Sequence, residues 1–134
     1  VNMVLWIIQI LLAAIFGGIG VVKLTQPKEK LHETMGWTKA ATPIQVKAIG
    51  ALELLAAIGL VLPALTSIAT VLTPLAALGL VIIMIGGIVV HLHGVRTETE
   101  AQRRKVEIQG IVTCLVLLVL AALVAWGRFG PYSF

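Results

Sequence analysis

The sequence predicts an all-α integral membrane protein, a bundle of four transmembrane helices with a short interfacial helix between the first and second spans. Two observations lead there. Four apolar stretches, at about 4–22, 44–62, 66–92 and 108–126, each approach the roughly 20 residues that a helix needs to cross about 30 Å of hydrocarbon. The whole chain is 59% hydrophobic and 12% charged, with a mean hydropathy of +1.05, so it has more apolar surface than a water-soluble core of this size can hide. No stretch alternates apolar and polar residues as a transmembrane strand would. A single transmembrane domain, residues 1–134, is expected.

The first span holds Gln9 as its only strongly polar residue and ends at Lys23. A cleaved signal peptide is the rival reading, but neither a basic leader nor a clear small-residue cleavage site is evident, so this helix is expected to be retained. The next segment, KLTQPKEKLHETMGWTKAAT, carries four lysines, two glutamates and His32. Pro27 can open a short helix there, with Leu31 and Met35 on one side and charges around the rest. Trp37 then acts as an interfacial anchor at the level of the lipid headgroups.

The second span follows Thr42 and Pro43, a capping residue and a proline tolerated at the first helical position, and Pro63 comes after its last apolar residue. The third contains a second such pair, Thr73 and Pro74, which either starts the membrane helix or kinks a longer one, and the kinked long helix is the preferred reading. A charged connector at 91–107 leads to the fourth span, which closes on Trp126, a second interfacial anchor, before Gly127, Arg128 and an aromatic tail.

Charge sets the expected orientation. The first and third connectors hold Lys23, Lys28, Lys30, Lys39, Arg96, Arg103, Arg104 and Lys105, whereas the second has no charge and the C-terminal tail only Arg128. The positive-inside rule places connectors 23–43 and 91–107 in the cytoplasm and both termini outside. The net charge of +4 does not indicate a nucleic-acid partner, because apolar spans interrupt the basic residues and no aromatics interleave them. Membrane lipids are the expected neighbours.

Ionisable groups inside hydrocarbon cost roughly 2.5 to 3.5 kcal/mol on insertion scales, so they usually face the bundle interior and find a partner. Glu53 lies about halfway along the second span, too deep for its short side chain to reach either interface. It suits proton binding or recognition of a polar ligand head, and equally a hydrogen bond between helices. Lys47 lies near a helix end, where a long side chain can snorkel to water. Gln9, Ala13, Phe16, Gly20 and Lys23 share one helical face. That face can meet Glu53, with Gly20 and Gly50 permitting close approach. Gly17, Gly18, Ala56, Ala57, Gly59, Gly86 and Gly87 are further expected points of helix contact.

His91 ends the third span as a hydrogen-bonded interfacial histidine, or as a contact for a quinone or lipid head, and Gln109 has the same standing at the start of the fourth. Haem is disfavoured because it needs a second axial ligand on a facing helix, and His32 and His93 fall in connectors. The one cysteine, Cys114, forms no CxxC pair or cysteine zinc site and reads as a small apolar residue. The sequence contains no phosphate-binding, HExxH or GxSxG signature and no Asp. No catalytic or metal-ligating set is expected, and an enzyme acting alone is hard to build from these residues.

The strings GVVKLTQP, MGW, GALELLAAIGLVLPAL, LTPLAALGL and VVHL, spread between residues 20 and 92, resemble the DoxX-like family of small four-helix bacterial membrane proteins, and the resemblance covers nearly the whole chain. By that resemblance Lys23, Glu53 and His91 stand at the family's recurring polar positions, and the location is the bacterial cytoplasmic (inner) membrane. The resemblance also implies an association with quinone-linked sulfur oxidation or with membrane complexes that answer oxidative stress. Two functions follow as expectations. One is a non-catalytic subunit or a bundle that binds a lipid or quinone head. The other is the membrane subunit of a quinone-linked oxidoreductase, with a redox or membrane protein as partner. A second copy of the chain is a further candidate partner. A transporter is a third possibility that Pro74 keeps open.

Overall fold

Four helices emerge from the four apolar stretches, as lipid requires, because a helix satisfies its backbone hydrogen bonds within the segment. The computed structural model describes residues 2–25, 43–97 and 99–133. Within them lie α1 (Asn2–Thr25), α2 (Pro43–Thr66), α3 (Leu72–Thr97) and α4 (Ala101–Phe129). All four are long and apolar enough to cross a membrane. Each runs antiparallel to its neighbour in sequence. Gly20 of α1 meets Gly50 of α2, Gly59 of α2 meets Ala76 of α3, Gly87 of α3 meets Cys114 of α4, and Leu5 of α1 meets Gly127 of α4. The bundle is thus a closed ring of two helical hairpins, α1–α2 and α3–α4, which are its most extensive pairings.

The core is a column of Leu12, Phe16, Leu60, Ala77, Leu80, Ala121 and Val124, all essentially inaccessible. Outward-facing Ile10, Leu55, Ile82 and Val119 are each more than half exposed. In a soluble protein such a surface would aggregate; here lipid covers it.

Pro43 opens α2 as expected, whereas Pro74 and Pro63 behave differently from expectation. α3 is not a kinked helix beginning at residue 66. Ser67 and Ala69 adopt left-handed backbone conformations, with φ of 58° and 48°, which turn the chain between helices. The amide of Leu72 then donates to Ala69 O at 2.9 Å as α3 begins. Pro74 sits in the first helical turn, where its missing N–H has no intrahelical partner to lose. Conversely, Pro63 does not end α2, which continues through it to Thr66.

The charged connector is shorter than its composition suggests. α3 and α4 have 26 and 29 residues, and at about 1.5 Å per residue each exceeds the ~30 Å hydrocarbon layer. Their charged ends therefore stay helical outside the lipid, α3 as far as Thr97 and α4 from Ala101 onward. Glu100 is the extended N-cap of α4, and its carbonyl accepts the Arg104 amide at 3.0 Å. His93 consequently belongs to α3, where it is exposed. The expected interfacial helix, with His32 and Trp37, lies outside the described residues.

Candidate functional site

Polar side chains gather in two places, one toward each end of the bundle. The end bearing Asn2 and Arg128 is called the terminal end here, and the end bearing Lys23 and Glu107 the connector end.

At the terminal end the polar groups complete backbone bonding and tie the hairpins together. Pro63 has no N–H for the carbonyl four residues earlier, and its ring crowds that turn. Thr73 Oγ1 donates to this carbonyl, Gly59 O, at 3.0 Å, while Gln9 Nε2 donates to the adjacent Leu60 O at 2.7 Å. Gln9 is fully buried, and its other amide atom, Oε1, accepts from Arg128 Nε at 2.7 Å. Arg128 Nη1 donates to Asn2 Oδ1 at 2.6 Å and to Tyr132 O at 2.9 Å, and the guanidinium lies 5.7 Å from the Trp6 ring centroid. Gln9 is therefore a structural linker between α1, α2 and α4. Trp126 is 56% exposed and meets Tyr132 edge-on at 6.1 Å.

At the connector end each hairpin has its own acid–base pair. In the first, Lys23 Nζ donates to Glu53 Oε1 at 2.6 Å, with both side chains buried. The face of α1 that brings Lys23 inward is Leu5, Gln9, Leu12, Phe16, Gly20 and Lys23, all buried. Its helix can approach α2 this closely because a Cβ on Gly20 would lie 2.7 Å from Gly50 O, and one on Gly50 would lie 2.7 Å from Lys23 Cβ. In the second hairpin, His91 Nδ1 and Glu107 Oε2 are 2.6 Å apart and partly buried. This pair also rests in glycine notches. A Cβ on Gly110 would sit 2.6 Å from the His91 ring, and one on Gly94 would sit 2.7 Å from the Glu107 carboxyl carbon.

Between the two pairs is a cavity of about 320 Å³, to which Lys23, Glu53, His91 and Cys114 all contribute. Its remaining walls are apolar, chiefly Ile49 from α2 and Ile83, Met84 and Val90 from α3. Volume and lining suit a small polar group attached to an apolar body. The second carboxylate oxygen of Glu53, Oε2, is buried and accepts no hydrogen bond from any described residue.

The structure brings Lys23, Glu53 and His91 to one cavity, places Gln9 at the opposite end, and leaves Gln109 exposed on the outer face of α4. Gln109 belongs to neither polar group because α4 turns its Gly110 face, not its Gln109 face, toward His91. Lys47 is exposed, whereas Cys114 is buried in the core. Among the expected helix contacts, Gly18 and Gly86 have open space around them.

Sequence reasoning missed Glu107, Thr73 and Arg128 as partners. A usable signal existed for Glu107: residues 91 and 107 are equally spaced about residue 99, so a hairpin turning there puts them at one level. No comparable signal marks Arg128.

No curated protein and no solved structure matches this chain significantly. Its placement rests instead on a family model that matches residues 7–125 and so takes in all four helices: the chain belongs to the DoxX-like family and is an integral membrane protein of that family.

Proposed function

We propose that this protein is a non-catalytic membrane binding protein or subunit whose cleft holds the polar head of a lipid or quinone. The observation that supports it is Glu53 Oε2, a buried acceptor without a described donor beside a cavity of about 320 Å³. Leaving such a group unmatched is unfavourable by about 1–3 kcal/mol or more, and a bound donor relieves the penalty. Lys23 holds the Glu53 carboxylate in place, His91 supplies a second polar wall, and Ile49, Ile83 and Val90 accommodate the apolar part.

The membrane proposed is the bacterial cytoplasmic membrane, with both termini outside. The orientation draws its support from the concentration of Lys and Arg in the connectors at the cavity end, and in that orientation the cavity faces the cytoplasmic half of the bilayer.

A second reading makes the chain the membrane subunit of a quinone-linked oxidoreductase. The His91–Glu107 pair beside the cavity favours it, because an imidazole bonded to a carboxylate can take up and pass on a proton. Quinone would supply the electron chemistry there, with Glu53 and His91 holding its head and a partner protein providing the other redox centre.

The test is mass spectrometry of organic extracts from purified wild type, Glu53→Gln and Lys23→Met. A stoichiometric amphiphile lost from both variants supports head binding in the cleft, and a quinone as that amphiphile supports the second reading. Bulk phospholipid alone in all three preparations refutes both.

A further inference from the structure

The proposed cleft has chemistry that selects among heads and an architecture that selects a route. Glu53 presents two carboxylate oxygens. Lys23 occupies Oε1 at 2.6 Å, and Oε2 remains as a buried acceptor. On the facing hairpin the imidazole of His91 already has a carboxylate at Nδ1, that of Glu107. Each basic group at the cavity thus has an acidic partner, so the cleft offers little net attraction to an anionic head. A phosphate or carboxylate would meet Glu53 Oε2 as a like charge in a medium of low dielectric. A hydroxyl donor meets the same oxygen as a charge-assisted hydrogen bond.

The route follows from how the hairpins meet. At the terminal end α2 and α3 are in close contact, since a Cβ on Gly59 would lie 3.0 Å from Ala76 Cβ, and Thr73 bonds to Gly59 O. Toward the connector end the cavity separates Ile49 and Glu53 of α2 from Ile83, Gly86 and Val90 of α3. Gly86 and Val90 are exposed on the lipid-facing side, and nothing lies within 4 Å of where a Gly86 Cβ would be.

We infer that the cleft binds a neutral amphiphile with a hydroxyl head, a long-chain phenol or alcohol, which enters sideways from the lipid between α2 and α3 and donates its hydroxyl to Glu53 Oε2. This inference rests on the head-binding reading above and narrows it to one class of head.

Native mass spectrometry of the whole chain in mild detergent, titrated with 4-dodecylphenol, its methyl ether and dodecyl phosphate, tests it. The phenol binds about tenfold or more tightly than the ether, the difference one hydrogen bond to a charged acceptor makes, and the phosphate binds no better than the ether. The preference for phenol over ether shrinks in Glu53→Gln. Gly86→Leu fills the opening from a position with free space, keeps helix propensity high, and abolishes binding of all probes while the protein stays folded. Equal affinity for phenol and ether, or tightest binding of the phosphate, overturns the hydroxyl assignment but leaves a head-binding cleft standing. Unchanged phenol binding in Gly86→Leu overturns the sideways route. Failure of all three probes to bind overturns this inference, while the reading beneath it is decided separately by the extraction experiment above.

Discussion

Thr73 donates its hydroxyl to the carbonyl of Gly59, 3.0 Å away, and that is the carbonyl Pro63 leaves without an intrahelical donor. One proline in α2 and one threonine at the start of α3 thus form a single device. The proline frees an acceptor, and the acceptor fastens the next helix.

That coupling is measurable. Thr73→Val keeps the shape and removes the donor, so it destabilises the bundle by about 1 to 2 kcal/mol, the upper range for hydrogen bonds between membrane helices. With Pro63→Ala an amide returns to Gly59 O, and the loss from Thr73→Val shrinks in the double variant. SDS-induced unfolding in mixed micelles reads both. Strictly additive effects would show that the two residues do not share the carbonyl.

Lys23 and Glu53 are more than nine-tenths buried and 2.6 Å apart. Removing one member of a buried ion pair strands the other, and this typically destabilises by about 3 to 5 kcal/mol, whereas removing both leaves no stranded charge. Lys23→Met and Glu53→Gln are each expected to lower stability more than Lys23→Met with Glu53→Leu does together. The same unfolding assay decides, and a double variant less stable than both singles contradicts the pairing.

Two glycines of α3 and α4 are predicted to respond in opposite directions to alanine. Gly86→Ala meets open space and gains about 0.5 to 1 kcal/mol from helix propensity. Gly110→Ala places a methyl 2.6 Å from the His91 ring, so it is destabilising and separates His91 from Glu107. Nitrogen-15 NMR of the imidazole reports the lost Nδ1 partner, and His91→Ala restores tolerance of Gly110→Ala. An unaltered imidazole spectrum in Gly110→Ala would show that the notch does not position the ring.

How far the sequence revealed this arrangement depends on how local each signal is. Four runs of apolar residues are a local property, and all four helices follow from them. The inward face of α1 is also local, since the spacing of Gln9, Phe16, Gly20 and Lys23 puts these residues on one side, and Gly20 with Gly50 forecasts the meeting with Glu53. Glu107 escaped because charge was read as connector, although lipid sets only a minimum helix length and polar ends continue helical in the headgroup layer. Thr73 and Pro63 escaped for a different reason. Each has an ordinary local reading, as a cap and as a stop, and their joint role exists only once α2 and α3 are side by side.

Arg128 is the clearest case of a residue whose role is wholly tertiary, and it gives a last prediction. Its guanidinium engages Gln9 Oε1, Asn2 Oδ1 and Tyr132 O at 2.6 to 2.9 Å and lies over Trp6. Lysine has the same charge but no planar fork, so it cannot reach these three acceptors in the same geometry while keeping its charge over the indole. Arg128→Lys is therefore expected to loosen the terminal end nearly as much as Arg128→Met. Gln9 then loses the partner that fixes its amide orientation, and the Leu60 carbonyl loses a well-placed donor. Hydrogen exchange is the appropriate readout, because it resolves the first turns of α1 from the rest of the bundle. Faster exchange confined to residues 2–9 and the turns around residues 60–63 of α2 is expected in both variants. If Arg128→Lys retains wild-type protection there, charge alone holds the ends together, and the fork geometry is incidental.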